Sequence, residues 1–229
     1  MKDGTRYAAR FKRAYAKMKK SAAIAEIPEW PDPIERLATA ILGIECGDHQ
    51  ALRAVKKLNE AMVDWNEVRA SYPVELHRVI GNQVPSAELR CASLIRALNA
   101  IYNREHVVSL ERLRSIGRRE SRHYFDDLDG VDSYAAASVI LWSLGGHAIP
   151  VGDRALTALR GADLVHPTAG RADVQAFLER HVAADKAKET ALVLEAFGAA
   201  TKSARSARKK VAAKKQTKKK TKKRRRAKS

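Results

Sequence analysis

Apolar positions along the chain recur at helical spacing almost throughout. Over residues 4–20, Tyr7, Phe11, Tyr15 and Met18 follow one another at intervals of four, four and three, a single stripe with Lys and Arg around it. That spacing predicts a helix docked on a core through its stripe, or one that also presents its basic face to DNA as an arm. A proline-rich joint follows (Pro28, Pro31, Pro33), and Asp32-Pro33 supplies the cap and first turn of a helix over IERLATAILGIE. Asp48 is placed to cap a helix running through Leu58, and Asp64 a short one. Pro85-Ser86 opens a long amphipathic helix carrying Leu89, Leu94, Leu98 and Ile101, and Ser109 caps another ending near Gly117. A further, strongly apolar helix opens at about Ser133, after a turn at Gly130. No stretch alternates with the period of two that a half-buried strand requires. The expected class is all-α.

The pattern stops near Thr201. Residues 202–229 hold a single Val and no other branched apolar or aromatic side chain, too little to offset the entropy of ordering them. This segment is expected to be disordered when free. It carries 16 Lys/Arg and no acid, and residues 1–23 carry 8 Lys/Arg against Asp3 alone. Between them, 24–201 holds 20 basic and 25 acidic residues, so the net charge of +18 comes entirely from the two ends. The organisation expected is a basic amphipathic N-terminal helix (1–23), a helical domain (24–201) and a basic tail (202–229). Block charge of this kind marks a segment that binds a polyanion, nucleic acid first among them.

No apolar run is long enough to span a bilayer, and the N-terminus lacks the apolar core of a signal peptide. Cys46 and Cys91 are too few for a disulfide framework and are expected to be buried thiols in a reducing compartment. The seven histidines are scattered, with no pair at the close spacing that a helical metal site favours. Neither metal nor cofactor is expected. Trp142, in SVILWSLGG, reads as core, and His147 and His166 as loop or surface residues.

The informative segment runs from Leu128 to Val165. At its start the Gly130 turn and the opening of the next helix aim successive backbone N–H groups outward, a nest suited to a DNA phosphate of any sequence. Leu-x-Gly-Val-x-x-x-x-Ala, Leu128 to Ala136, resembles the helix–hairpin–helix of the endonuclease III and adenine-DNA glycosylase superfamily. About twenty residues on, Ile149-Pro150-Val151-Gly152-Asp153-Arg154 stands where that superfamily has a Pro-Val-Asp-type segment with its essential aspartate. Upstream, IERLATAILGIECGDHQ resembles the family helix that ends in a glutamine-containing loop. The likeness covers roughly residues 30–200. It implies a two-lobed helical fold, double-stranded DNA as partner, and phosphate contacts at Gly130, Val131, Asp132, Ser133 and Tyr134.

The departures narrow what the resemblance implies. Asp132 replaces the second hairpin glycine; its side chain tolerates a left-handed backbone but sets a carboxylate beside the phosphate. Tyr134 stands at the position of the lysine nucleophile of bifunctional members, and a phenol cannot form the Schiff base, so lyase chemistry is not expected. The essential aspartate aligns with Gly152. Asp153 is one residue later, a turn of about 100° on a helix. It is either the replacement catalytic carboxylate or a cap for ALTALRG. The loop glutamine corresponds to Glu45, and the glutamate of adenine-specific members to Ala40. The four-cysteine iron–sulfur loop is missing, and Lys202 and Lys209 fall near where its first cysteines would lie.

The expected function is DNA binding by a monomeric relative of base-excision glycosylases with degenerate catalytic residues, on damaged or mismatched duplex. The alternatives are an active monofunctional N-glycosylase using Asp153, and an architectural nucleoid or chromatin protein. In the last, Lys209, Lys210, Lys218, Lys219, Lys220, Arg224, Arg225 and Arg226 of the tail would do most of the binding. The tail also has the composition of a localisation signal. The expected location is cytoplasmic and nucleoid-associated, or nuclear in a eukaryote.

Overall fold

The computed structural model describes residues 4–22 and 29–201, all helix, turn and loop, with no strand among them. The helices are α1 (Gly4–Ser21), α2 (Pro33–Gly43), α3 (Asp48–Ala61), α4 (Trp65–Ala70), α5 (Pro73–Ile80), α6 (Ala87–Glu105), α7 (Arg118–Asp126), α8 (Ser133–Trp142), α9 (Asp153–Gly161), α10 (Arg171–His181) and α11 (187–201). Their ends follow local chemistry. Asp32 caps α2 by accepting from Ile34 N at 2.8 Å, with Pro33 in the first turn. Asp64 caps α4 by accepting from the N–H groups of Asn66 and Glu67.

Three boundaries differ from the sequence reading. Asp48 is not a cap: Gly47 takes that place, and Asp48 is the first residue of α3. The helix expected from Ser109 shrinks to one 3₁₀ turn, Glu111–Arg114. Leu110 and Leu113 are already buried there, and Gly117 caps α7 instead of closing the preceding helix. Asp132 is extended (φ −94°), not left-handed, and accepts from Ala135 N at 2.9 Å, so it replaces the glycine by capping α8.

The helices form two lobes. In the first, α2 packs on α3, α6 and α8, while α4 and α5 close against α6. The apolar α8 has no polar face; its buried residues run from Tyr134 to Trp142 with Ala136 alone partly exposed, as a central helix requires. Gly130 (φ +79°) lets the α7–α8 turn sit directly on α6: a Cβ there would lie 2.2 Å from Ser93 O. In the second lobe α1 packs against α11 and the turn that follows α9. Tyr7, Phe11 and Met18 are buried as the stripe predicts, each contributing roughly 1.5–3 kcal/mol before ordering entropy is subtracted. Arg10 pairs with Asp163, Lys19 with Glu189 at 2.5 Å, and Thr190 Oγ1 bonds Tyr15 Oη at 3.2 Å. Both ends of the described chain therefore lie in this lobe.

Candidate active site

The link between α2 and α3 makes the site possible. Gly47 turns there with φ +85°, and a Cβ on it would stand 2.7 Å from Glu195 Oε1. Without one, Glu195 reaches in from α11, and its Oε1 accepts from Asp48 N at 2.8 Å. With Gly47 at the cap position, the Asp48 side chain is released from capping and turns to α2. There both of its oxygens accept from Arg36, Nη1 at 2.6 Å and Nη2 at 3.2 Å. Arg36 is 1% exposed, and its guanidinium lies 4.6 Å from the Trp30 ring centroid. Its Nε is buried without a hydrogen-bond partner among the described residues. From α8, Tyr134 Oη donates to Asp48 Oδ1 at 3.4 Å. Arg154, on α9, spans back to the α2–α3 link through Nε to Glu45 O at 3.1 Å.

These groups line a cavity of about 30 Å³ between the lobes, with Gly43, Ile44, Trp142, Pro150, Gly152, Ala155 and Ala191 completing its wall. That is room for about two waters. Tyr134 and Arg36 lie deep, while Gly47, Asp48, Gly152, Arg154 and Glu195 stay partly exposed, so the cavity reaches solvent on their side. Burial, and then the neighbouring Asp48 carboxylate, raise the Glu195 carboxyl to about 7. Burial and Asp48 likewise push the Tyr134 phenol well above its usual range, so it serves as a neutral donor. Two carboxyls and a phenol facing a water-sized space constitute an arrangement for moving a proton to or from water.

Gly152 and Tyr134 meet across this cavity: a Cβ on Gly152 would lie 3.5 Å from Tyr134 Cε2 and 3.2 Å from Ile44 O. Asp153 is one residue further and elsewhere. Its carboxylate pairs with Arg171 Nη2 at 2.5 Å, and Arg171 Nη1 also reaches Asp132 at 3.4 Å, so one guanidinium joins the starts of α8 and α9. Gly130, Val131 and Asp132 form the turn before α8, Ser133 and Tyr134 open the helix, and the Tyr134 side chain is buried. Glu45 is tied to Arg90 of α6 through its Oε1, which accepts from Nη2 at 2.7 Å. Cys46 and Cys91 are buried free thiols, and Trp142 is core. Lys209, Lys210, Lys218, Lys219, Lys220, Arg224, Arg225 and Arg226 lie outside the described residues.

Sequence reasoning misses Arg36, Glu195 and the site role of Asp48. Two signals could have found them: an arginine inside the apolar run IERLATAIL, and a glutamate inside ALVLEAFG. A charge that the helical pattern turns inward requires a buried partner.

No family model matches the sequence, and no curated protein matches it. Solved structures do match its shape. Endonuclease III trapped in a covalent intermediate with DNA superposes with a TM-score of 0.64 at 17% identity, over 83% of this chain and 85% of that one. A thermostable thymine-DNA glycosylase gives 0.60 at 16% identity, over 85% of this chain and 87% of that one. The Clostridium acetobutylicum 8-oxoguanine glycosylase/lyase, in complex with double-stranded DNA, gives 0.61 at 16%, over 88% of this chain and 71% of that one. The fold is that of the endonuclease III-like DNA glycosylases. Tyr134 and Gly152, where the sequence resemblance places the lysine and the aspartate, line one cavity of this fold. Carboxyl groups enter the same cavity from α3 and α11.

Proposed function

We propose that this chain binds double-stranded DNA as a monomer and recognises damaged or mismatched bases in it, in the manner of a base-excision glycosylase without lyase chemistry. The observation that carries this reading is the cavity between the lobes. It joins the two matched positions, is lined by ionisable groups, and has no amine at Tyr134 with which to form a Schiff base. The turn of Gly130, Val131, Asp132 and Ser133 supplies the phosphate contact at the start of α8. The Asp132 carboxylate, which would repel a phosphate, has its charge offset by Arg171. The tail adds affinity that is independent of sequence. If a base is released, Asp153 is one candidate for the hydrolytic carboxylate, because it stands one residue past Gly152 at the start of α9.

The rival reading is an architectural DNA-binding protein, favoured by the 16 Lys/Arg of residues 202–229. Binding by a protein ending at Thr201 separates the two. Base-excision recognition requires at least a tenfold preference for a duplex holding an abasic analogue or a mismatch over the same undamaged duplex. Equal affinity for both, lost together with the tail, refutes the repair reading and leaves the architectural one.

A further inference from the structure

The carboxylate matched to the family's essential aspartate is missing at Gly152, yet the space beside it is not without carboxyls. Asp48 and Glu195 reach that space from α3 and α11, 147 residues apart in sequence and joined by the Asp48 N–H to Glu195 bond. We propose that Asp48 and Glu195 are the catalytic pair of an N-glycosidic hydrolysis, holding and activating a water in the cavity that Tyr134 and Gly152 also line. This rests on the reading of the chain as a base-excision protein and names the residues that would do its chemistry.

Four observations support the pair over Asp153. The cavity is water-sized, so it holds the nucleophile and leaves the flipped base outside, at the partly exposed mouth formed by Gly47, Gly152 and Arg154. Gly47 leaves free the space that the Glu195 carboxyl fills, a Cβ on it standing 2.7 Å from Oε1, so the turn admits the second carboxyl beside the first. Asp48 is fixed in place by both terminal nitrogens of Arg36 and by the Tyr134 phenol, the positional control that catalysis through distance demands. The fourth is Arg36, a lining residue whose Nε is a buried donor with no partner among the described residues. Asp153, in contrast, forms no part of the lining.

The step balances with water alone. The C1′–N bond breaks and its electron pair goes to the base nitrogen. Positive charge developing on the sugar is stabilised by the Asp48 carboxylate at the mouth. The oxygen of the cavity water bonds to C1′, and the proton it sheds passes to ionised Glu195, which returns it to solvent. The departing base takes a proton from solvent. Glu195 accepts a proton only when ionised, so base release is expected to rise with pH through about 7 and level off above.

The test is single-turnover base release by the full chain from duplexes carrying one uracil, one 8-oxoguanine, one 3-methyladenine or one mismatched adenine. Binding to an abasic-analogue duplex is measured in parallel. Glu195→Gln keeps the acceptor for Asp48 N–H and is the principal variant. Asp48→Asn strands the buried Arg36 charge and is read only with a melting curve beside it. The proposal requires release from at least one duplex, roughly 100-fold or more slower in Glu195→Gln, with the rise through pH 7 abolished. Abasic binding by Glu195→Gln must be unchanged. Release that survives Glu195→Gln, or that disappears in Asp153→Asn alone, overturns the assignment. Absence of release from every duplex, with preferential abasic binding retained, also overturns it and leaves damage recognition standing. Absence of both release and preference overturns the underlying reading as well.

Discussion

Glu195→Gln also makes a prediction about stability that does not depend on any activity. A carboxyl raised from 4.5 to about 7 in the folded chain holds its proton there while the unfolded chain has released it. The sign follows. Folding is favoured by this group most strongly below pH 4.5, and the contribution is lost as pH rises to about 7 and the buried group must ionise. At roughly 1.4 kcal/mol per pH unit, the gap between the two values corresponds to about 3 kcal/mol. Glutamine has the same shape, still accepts from Asp48 N–H, and never ionises. The variant is therefore expected to match the natural protein near pH 5 and to exceed it at pH 8 by up to about 3 kcal/mol, or roughly 6–12 °C in Tm for a domain of this size. Differential scanning fluorimetry of both proteins from pH 4.5 to 8.5, plotted as the difference in Tm, reads this, because titrating groups away from the site cancel and leave Glu195 with the Asp48 carboxylate beside it. A difference that stays flat across the range refutes the placement of Glu195 in a desolvated, carboxylate-flanked site. A natural protein more stable than the variant at pH 8 would show that ionised Glu195 is compensated by charges that outweigh its burial.

Three further outcomes are expected. Deleting 202–229 should leave a folded helical domain but flatten the salt dependence of duplex affinity, since each phosphate the tail no longer neutralises takes roughly 0.9 off the slope of the logarithmic plot; an unchanged slope removes the tail from the DNA interface. Borohydride should trap no covalent adduct between the tail-deleted protein and abasic DNA, because Tyr134 has no amine; a robust trapped band on a denaturing gel contradicts the assignment. Gly152→Asp, which would restore the family pattern, should cost about 1–3 kcal/mol in urea denaturation. The new side chain must fit where a Cβ already lies 3.2 Å from Ile44 O, and it brings a further carboxylate to Asp48.

What can be read from the sequence is what depends on near neighbours. The Tyr7–Phe11–Tyr15–Met18 stripe, the Asp32 and Asp64 caps and the apolar α8 all rest on spacings of a few residues, and all are legible. Asp48 misleads for the same reason. An aspartate ahead of an apolar-periodic run is a good cap, and only Gly47, whose left-handed turn admits Glu195, makes the cap redundant. The Ser109 helix fails where tertiary burial of Leu110 and Leu113 stops the chain after one turn. The cavity is hidden because its charges come from α2, α3, α8, α9 and α11, and no local pattern links Arg36 to Asp48 or either to Glu195. The resemblance locates two of its walls, Tyr134 and Gly152, since those sit inside one short motif-bearing segment.

The 147-residue separation between Asp48 and Glu195 also dictates when the site can exist. A chain emerging from the ribosome completes the first lobe, with α2 to α8 and the Gly130 turn, long before α11 has been made. Arg36 and Asp48 can pair early, but the wall that Glu195 and Ala191 provide closes only when nearly all of the folded part is out. A prematurely terminated product would retain the turn at the start of α8 and lack the carboxyl on α11. The order of synthesis thus places the surface that would hold DNA ahead of the groups that would act on it.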